Sequence, residues 1–567
     1  MQVEMSKPWR EGNPSPRPTS TATTCPPAQF SVETNQQGKQ TASSPHHGPT
    51  PARKNEPVTV AMVHGLAAPP CFPFSAPRRP PKPSRVRAAG VRHWTAEEIA
   101  GATDGRVVAW GPPGPISSDT RTLRPGQWFL AISGENFDGH DFVGPELEAA
   151  GCAGVVGNRV GAGWRGGFVR VEGDTVVALE RMAGYARSRH RGVLVGVTGS
   201  VGKTTTTAMT ALAVGSLGRV YKTPGNWNNR IGVALTLAGM PDGVDVAVVE
   251  LATRSKGKLL HLAGLARPSV RVILNVGYGH TVFFRTLQGV AEAKGEMLAE
   301  ARPGDLCVLN ADDPLVMAIP LPPGVDKVFF GRTLGSDVRL VHAESIDGGC
   351  SVRVILENKL STRRGPHQLG NTSEMVEFKI PSPGVHLAIN ACAAAAVATS
   401  LGAPLHQVGD SLSRFTPVPM RSQIKIADNG IRIIDDTYNA NPHSMTAAVN
   451  LLNSLDCSGR KLIVLGDMFE LGAHDAEAHE AILRMCCEAC FDLVAVAGRC
   501  FNAAAEKLDP EQRARLICES DTKSLAVKVV ETLSVDDTVL VKGAVQMEMG
   551  KVVDTIMMIS GQCTALL

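Results

Sequence analysis

Residues 196–207 read GVTGSVGKTTTT, a stretch whose residue types suit the holding of phosphate. Gly199 and Gly202 permit a tight turn, so the backbone N–H groups of Gly199, Ser200, Val201 and Gly202 can face anionic oxygens. A helix beginning here adds a favourable field for negative charge. Lys203 would neutralise phosphate charge, and the Thr204 hydroxyl could reach a magnesium ion. The loop is shortened. The widespread G-x-x-x-x-G-K-[ST] form needs a glycine five residues before Gly202, where this chain has Val197.

Three more residues extend this chemistry. Glu250 ends the apolar run VDVAVVE, His280 follows SVRVILNVGYG, and Lys294 lies in LQGVAEAKGEML. A metal-bound phosphoryl group needs oxygen ligands and charge compensation, which such residues behind a phosphate loop could supply. Taken singly, each also suits a plainer role: a capped strand end, a hydrogen-bonded loop histidine, a solvated helix face.

The elements that must position these residues follow from periodicity. GVLVGVTG, VDVAVVEL, SVRVILNVG and DLCVLNADDP are continuous apolar runs of the buried parallel-strand type, separated by helical stretches. The fold class is therefore α/β, with a doubly wound central sheet of the phosphate-loop ATPase kind. IRIIDDTYN, KLIVLGDM, DLVAVAG and DTVLVKG repeat the pattern and predict a Rossmann-like C-terminal sheet. Shorter strands between a helix start at Thr95, with Glu98 in capping-box spacing, and about residue 187 predict a small N-terminal α/β domain. The expected division is 1–90 tail, 91–187, 188–412 and 413–567, with a hinge near 405–416. The alanine run at 391–398 reads as a buried helix, and the polar stretch 358–374 as a loop.

The chain has 567 residues and a formal net charge of +3. Residues 1–90 hold 11 Lys and Arg against 4 Asp and Glu, leaving 46 against 50 for the rest. The basic surplus belongs to the tail, so nucleic-acid binding by the folded body is not indicated. The tail carries 17 of the 38 prolines with many Ser and Thr, cannot bury enough apolar surface to order itself, and has the basic, acid-poor composition of an organelle transit peptide. No apolar run reaches the roughly 18 residues of a membrane span. The 13 cysteines form no framework. Cys486, Cys487 and Cys490 have no second ligand pair for zinc and read as reduced thiols.

With the shortened loop, the segments TPGNWNNRIGVALTL, NVGYGHTVFFRTLQGVAEAKGEML, LNADDP, GVHLAINACAAAA, DDTYNANPHSM and LGDMFELG resemble the Mur ligase family over residues 93–560. SSDTR, GENFDGHDF, TPGN and DDTYNANP are similar to the branch that adds D-alanyl-D-alanine to UDP-N-acetylmuramoyl-tripeptide in peptidoglycan precursor synthesis. The resemblance implies an ATP- and Mg²⁺-dependent amide-forming ligase working through an acyl phosphate, expected as a monomer and, given the tail, as a plastid form. It assigns Lys203, Thr204 and Thr205 to ATP and magnesium, Glu250 and His280 to metal, and Lys294 to a carbamylated lysine. Catalytic roles fall to Lys203, His280, Lys294 and Arg421. Asn390, Arg421 and Asp436 are expected at the nucleotide. Ser118, Asp119, Arg121, Asn136, Gly139 and His140 are expected at the UDP-sugar. Thr223, Asn226, Asn228, Tyr438, Asn439 and Asn441 are expected near the peptide substrates, with Pro442 in the same stretch.

Several positions depart from that branch. Arg230 stands where an acid is usual, LATRSKGK (251–258) lacks a second acid, and no Pro-Ala precedes His280. Leu387 replaces an asparagine, Met420 a glycine and Val545 an arginine. These changes leave open a second expectation, a binding or scaffold protein of the same descent without turnover.

Overall fold

The computed structural model describes residues 90–134, 136–279, 281–360 and 373–563. The tail, His280 and most of the polar 358–374 stretch lie outside the described residues. The described residues build three sheets, of five, nine and six strands.

The first sheet orders its strands Arg106–Ala109, Gly167–Arg170, Gly154–Gly157, Trp128–Leu130 and Ile116–Ser117, antiparallel only at the first pair. The helix Ala96–Thr103 begins with the Thr95–Glu98 capping box expected from the sequence. This sheet has a small apolar cluster of its own, built from Phe129, Ala131, Leu147, Val155 and Phe168, while its other face shares a core with the next unit. Trp94, Leu130 and Leu179 share one apolar cluster with Val233, Leu237 and Ala247 of the next unit. The Trp94 indole donates to Ala238 O at 2.9 Å, and Arg92 bridges Glu98 and Asp242 at 2.8 and 3.0 Å.

In the central sheet, Val193–Thr198 lies between Val246–Glu250 and Val270–Ile273, parallel to both. The chain first winds to one side through Val220–Lys222 and Val246–Glu250, then crosses to the other through Val270–Ile273. The end of Val193–Thr198 is thus a topological switch point, where open α/β sheets form their ligand crevice. Burial on both faces explains why these strands read as unbroken apolar runs. Past Val338–Ile346 the sheet turns antiparallel through Ser351–Asn358 and Glu374–Ile380.

The alanine run lies in the helix Leu387–Ser400, which is buried along nearly its whole length. Small side chains let it pack closely on the helix Lys203–Ala213 that follows the glycine loop. The expected hinge is corrected in part. Residues 405–412 form a helix that buries Leu405, Val408 and Leu412 on one face, so they belong to the core. The irregular link runs over 413–422.

The third sheet runs Gln423–Ile426, Arg432–Asp436, Thr538–Lys542, Lys461–Gly466, Leu493–Ala497 and Leu516–Glu519, antiparallel only at the first pair. Among the described residues no helix is long and apolar enough to cross a membrane.

Candidate active site

The glycine loop is held from behind by one side chain. Asn275, at the end of the neighbouring apolar segment, accepts the Ser200 and Val201 N–H groups on Oδ1 at 3.0 and 2.9 Å. The Ser200 hydroxyl meets the Gly277 backbone at 2.9 and 3.1 Å. Lys203 curls over the loop and donates to Gly199 O (2.8 Å) and Ser200 O (3.2 Å). The first bond of its helix is Thr206 N–H to Gly202 O, so the N–H groups of Gly202, Lys203, Thr204 and Thr205 remain available to an anion, whereas those of Ser200 and Val201, expected at the phosphate, are spent on Asn275. Thr205, like Thr204, is buried in that first turn.

Gly202 sits at φ +80°, and a Cβ there would meet Asn390 Oδ1 at 2.6 Å. This close approach puts Asn390, from the alanine helix, directly beside the loop. Gly202→Ala is expected to cost about 1–2 kcal/mol in stability, from left-handed strain and the displaced Asn390. Nucleotide binding should weaken as well. Thermal unfolding with and without ATP checks both.

Glu250 is 1% exposed. Its backbone N–H donates to the Thr223 hydroxyl at 2.9 Å, and its Oε1 accepts from Asn228 Nδ2 at 2.6 Å. Its Oε2 is buried without a hydrogen-bond partner among the described residues. Lys294, on the helix Leu287–Ala299, is buried. Burial, and then the charge of Lys203, push its ammonium pKa well below the ordinary lysine value. The pKa of Lys203 is also lowered: burial and Arg421 pull it down, and Glu250 pulls it up. His280 cannot be placed in this group, since it lies outside the described residues.

The C-terminal unit closes the site. Arg421 Nη2 donates to Thr204 Oγ1 at 2.8 Å, and its guanidinium lies 3.9 Å from the Tyr438 ring centroid. The Tyr438 hydroxyl accepts from Asn226 Nδ2 at 2.5 Å. Met420 and Ser422, either side of Arg421, both have positive φ (60° and 48°). Met420 thus holds a conformation that the glycine of the family pattern takes without strain, and the strain sits beside a site residue. Asp436 accepts from Ser422 N–H at 3.0 Å and from Lys542 Nζ at 2.6 Å. Lys542 also donates to Asn439 O at 2.8 Å. Asn441 caps the helix Pro442–Ser454 in a capping box with Ser444. Asp436 and Asn441 are therefore engaged in shaping the segment that carries Arg421 and Tyr438.

The N-terminal residues form a separate group. Among the described residues they share no hydrogen bond with the loop cluster. Asp119 and Arg121 pair through two bonds of 2.9 and 2.8 Å. His140 is buried, with Nδ1 on Asp138 (2.5 Å) and Nε2 accepting Asn158 N–H (2.8 Å). Both ring nitrogens are committed, so His140 positions its loop and does not present a free group. The two hydrogen bonds from His140 hold the Asp138 carboxyl below its ordinary range. Gly139 packs so tightly that a Cβ would lie 2.7 Å from Ile132 N. Ser118 is half-buried and Asn136 exposed.

The altered positions are largely absorbed by neighbours. Arg230 makes two bonds to Glu180, at 2.7 and 2.8 Å. Lys256 pairs with Glu292 at 2.6 Å, and Arg254 lies 3.6 Å from Glu470. Sequence reasoning missed Asn275, Lys542 and Glu180. The signal for Asn275 was its place at the end of the strand-like run SVRVILN. Asp467, His479 and Cys500 converge as a metal site might, but their donors are used. Asp467 accepts the Cys500 and Phe501 N–H groups, and His479 accepts Met468 N–H and donates to Asp475 O.

The Mur ligase middle domain matches residues 197–398, and the Mur ligase glutamate ligase domain matches residues 420–545. A UDP-N-acetylmuramoyl-tripeptide--D-alanyl-D-alanine ligase of Bacillus subtilis is 32% identical over 440 residues, covering 77% of this chain and 92% of that protein. The chain belongs to the Mur ligase family. The Synechocystis protein of the same name is 35% identical over 371 residues, 65% of this chain and 75% of its own length. Among solved Mur ligases, MurF from Acinetobacter baumannii superposes with a TM-score of 0.70 at 27% identity, covering 83% of this chain and all of that one. MurF from Thermotoga maritima, in complex with ADP, gives 0.64 at 27%, covering 79% and 98%. These Mur ligase relatives match the three-sheet α/β architecture described above.

Proposed function

We propose that this chain is an ATP-dependent ligase that joins D-alanyl-D-alanine to UDP-N-acetylmuramoyl-tripeptide. The observation that carries the reading is the bond from Arg421 to Thr204, which brings a cation of the C-terminal unit onto the phosphate loop. The names of the similar proteins supply the substrates. On this reading residues 91–187 hold the UDP-sugar, 188–412 the ATP, and 413–567 close over both and admit the dipeptide.

The tripeptide carboxylate attacks the γ-phosphorus and ADP departs, leaving an acyl phosphate. The dipeptide amine then attacks the acyl carbon, loses a proton, and phosphate leaves. Lys203 and the free N–H groups of its helix offset the charge of the phosphates. Arg421 adds a second cation, fixed by its stack on Tyr438. Asn226 and Asn228 tie Tyr438 and Glu250 to one loop, so closure and metal binding share a support.

The residues fit a hard divalent cation. Glu250 offers a buried oxygen with no partner among the described residues, and Thr204 a hydroxyl that here accepts from Arg421 and would have to turn to the metal. Magnesium held there, with His280, would draw charge from the transferring phosphoryl group. Lys294 joins that set only as a carbamate, because an ammonium repels the cation. The depressed basicity of Lys294 supports this, since CO₂ adds to a neutral amine. Intact-protein mass measurement under bicarbonate should show one added 44-dalton group, absent in Lys294→Ala.

The tail composition supports plastid addressing, and a fluorescent fusion of residues 1–90 that stays outside plastids refutes it. A scaffold role without turnover is not favoured, because the described cations and carboxylates of the cleft are in place. Phosphate release from ATP is expected only when both UDP-N-acetylmuramoyl-tripeptide and D-alanyl-D-alanine are present. Release that needs neither or only one contradicts the proposal.

A further inference from the structure

The end of the central sheet opposite the phosphate loop carries a second, cationic cavity. It has a volume of about 390 Å³ and lies at the starts of the strands Val193–Thr198, Val270–Ile273 and Leu306–Asn310. Five arginines line it: Arg187, Arg191, Arg267, Arg271 and Arg302. Only two acids, Glu300 and Asp305, face them.

Two of the arginines are structural. Arg271 is buried and donates to Pro268 O, Met297 O, Glu300 O and Asp305. Arg187 donates to Ala266 O and Arg267 O. Asp305 is taken up by Arg271 and the Arg302 N–H. Arg191, Arg267 and Arg302 are exposed, and among the described residues their side chains have neither an ion-pair nor a hydrogen-bond partner. The free charge of the cavity is therefore positive. Arg267 also stands at φ +46°, a left-handed conformation unusual for a branched-off long side chain. That backbone is pinned by its own N–H on Ala263 O at 2.7 Å and by Arg187 on its carbonyl at 2.8 Å. That left-handed residue is the C-cap of the helix Lys258–Ala266, so the end of the helix fixes its backbone at the cavity edge. The charge of Arg267, after burial, already lowers the Arg187 pKa.

Guanidinium groups bond phosphate oxygens in two-pronged fashion, and clustered cations without counter-charge gain most from such a ligand. The volume lies within the ~300–1,000 Å³ of small-molecule sites, while the charged lining excludes an apolar occupant. A six-residue strand spans about 20 Å, so this cavity and the phosphate loop stand at opposite ends of one strand, with the core between them. We infer that the cavity binds a small soluble molecule bearing phosphate groups, at a site distinct from the phosphate loop. The inference rests on residues that the ligase reading does not use.

The test is calorimetric titration of inorganic pyrophosphate into the full chain at low salt. Binding is expected in the wild type and in Lys203→Ala alike. It should weaken at least tenfold in R191A/R267G/R302A, whose ATP binding should stay unchanged and whose thermal midpoint should not fall, since glycine takes the left-handed cap at 267 without strain. If the triple variant is unstable, Arg191→Ala and Arg302→Ala singly should each weaken binding about threefold. Binding lost in Lys203→Ala but kept in the triple variant would assign all phosphate affinity to the loop and overturn the inference. So would the absence of binding in every form. Sedimentation with phosphatidylglycerol vesicles that needs the three arginines, without pyrophosphate binding, would assign the surface to lipid and overturn it too.

Discussion

Lys203→Ala is expected to lower ATP-dependent amide formation by about 10²–10³, the scale seen when one charged donor is removed from a reacting oxygen. The fold should survive, because the native partners of Lys203 are two carbonyls of its own loop, Gly199 O and Ser200 O. Their loss costs about 1 kcal/mol. The loop itself is still held by Asn275 and Ser200. Product formation by chromatography reads the first effect and thermal unfolding the second. Saturating ATP should also raise the melting temperature of the variant less than that of the wild type. A variant that turns over normally would remove the loop from the reaction.

Arg421→Ala carries the second large effect. The variant loses a charged hydrogen bond to Thr204, about 1.5–3 kcal/mol, and a cation–π stack of roughly 0.5–1 kcal/mol. Together these amount to about 2–4 kcal/mol and predict a fall in kcat/KM of about 30- to 900-fold. Arg421→Lys should recover little, since an ammonium lacks the planar fork that bonds and stacks at once. Tyr438→Phe keeps the ring but loses the hydroxyl bond to Asn226, and should cost tenfold or less. Steady-state kinetics on the three variants separate cation placement from closure. If Tyr438→Phe proves as damaging as Arg421→Ala, the bond to Asn226 carries the effect.

The parts legible in the sequence were those with one cause. The run GVLVGVTG announces a strand buried on both faces, and the glycines and Lys203 after it announce an anion site. Glu250 and Lys294 were legible as chemistry-bearing residues at the right places, although nothing in sequence could give their burial or the open oxygen of Glu250. The closure contacts were not legible. Arg421 and Thr204 are 217 residues apart, and Asn226 and Tyr438 are 212 apart, so only the tertiary fold joins them. Arg230 shows the opposite limit. Alone it reads as a reversed charge at a substrate loop, yet it is spent on Glu180, fifty positions upstream in a helix that the sequence gives no reason to pair with it. The expected hinge at 405–416 failed in part because Pro404 marks a helix start as readily as a break.

The central claim is that this cleft activates a carboxylate by phosphorylating it. The most direct measurement uses UDP-N-acetylmuramoyl-tripeptide labelled with ¹⁸O in its terminal carboxylate, together with ATP and D-alanyl-D-alanine. An acyl phosphate passes one labelled oxygen to the released inorganic phosphate, and Lys203→Ala should release almost none. Unlabelled phosphate alongside amide product, or label in AMP with release of pyrophosphate, would contradict the account.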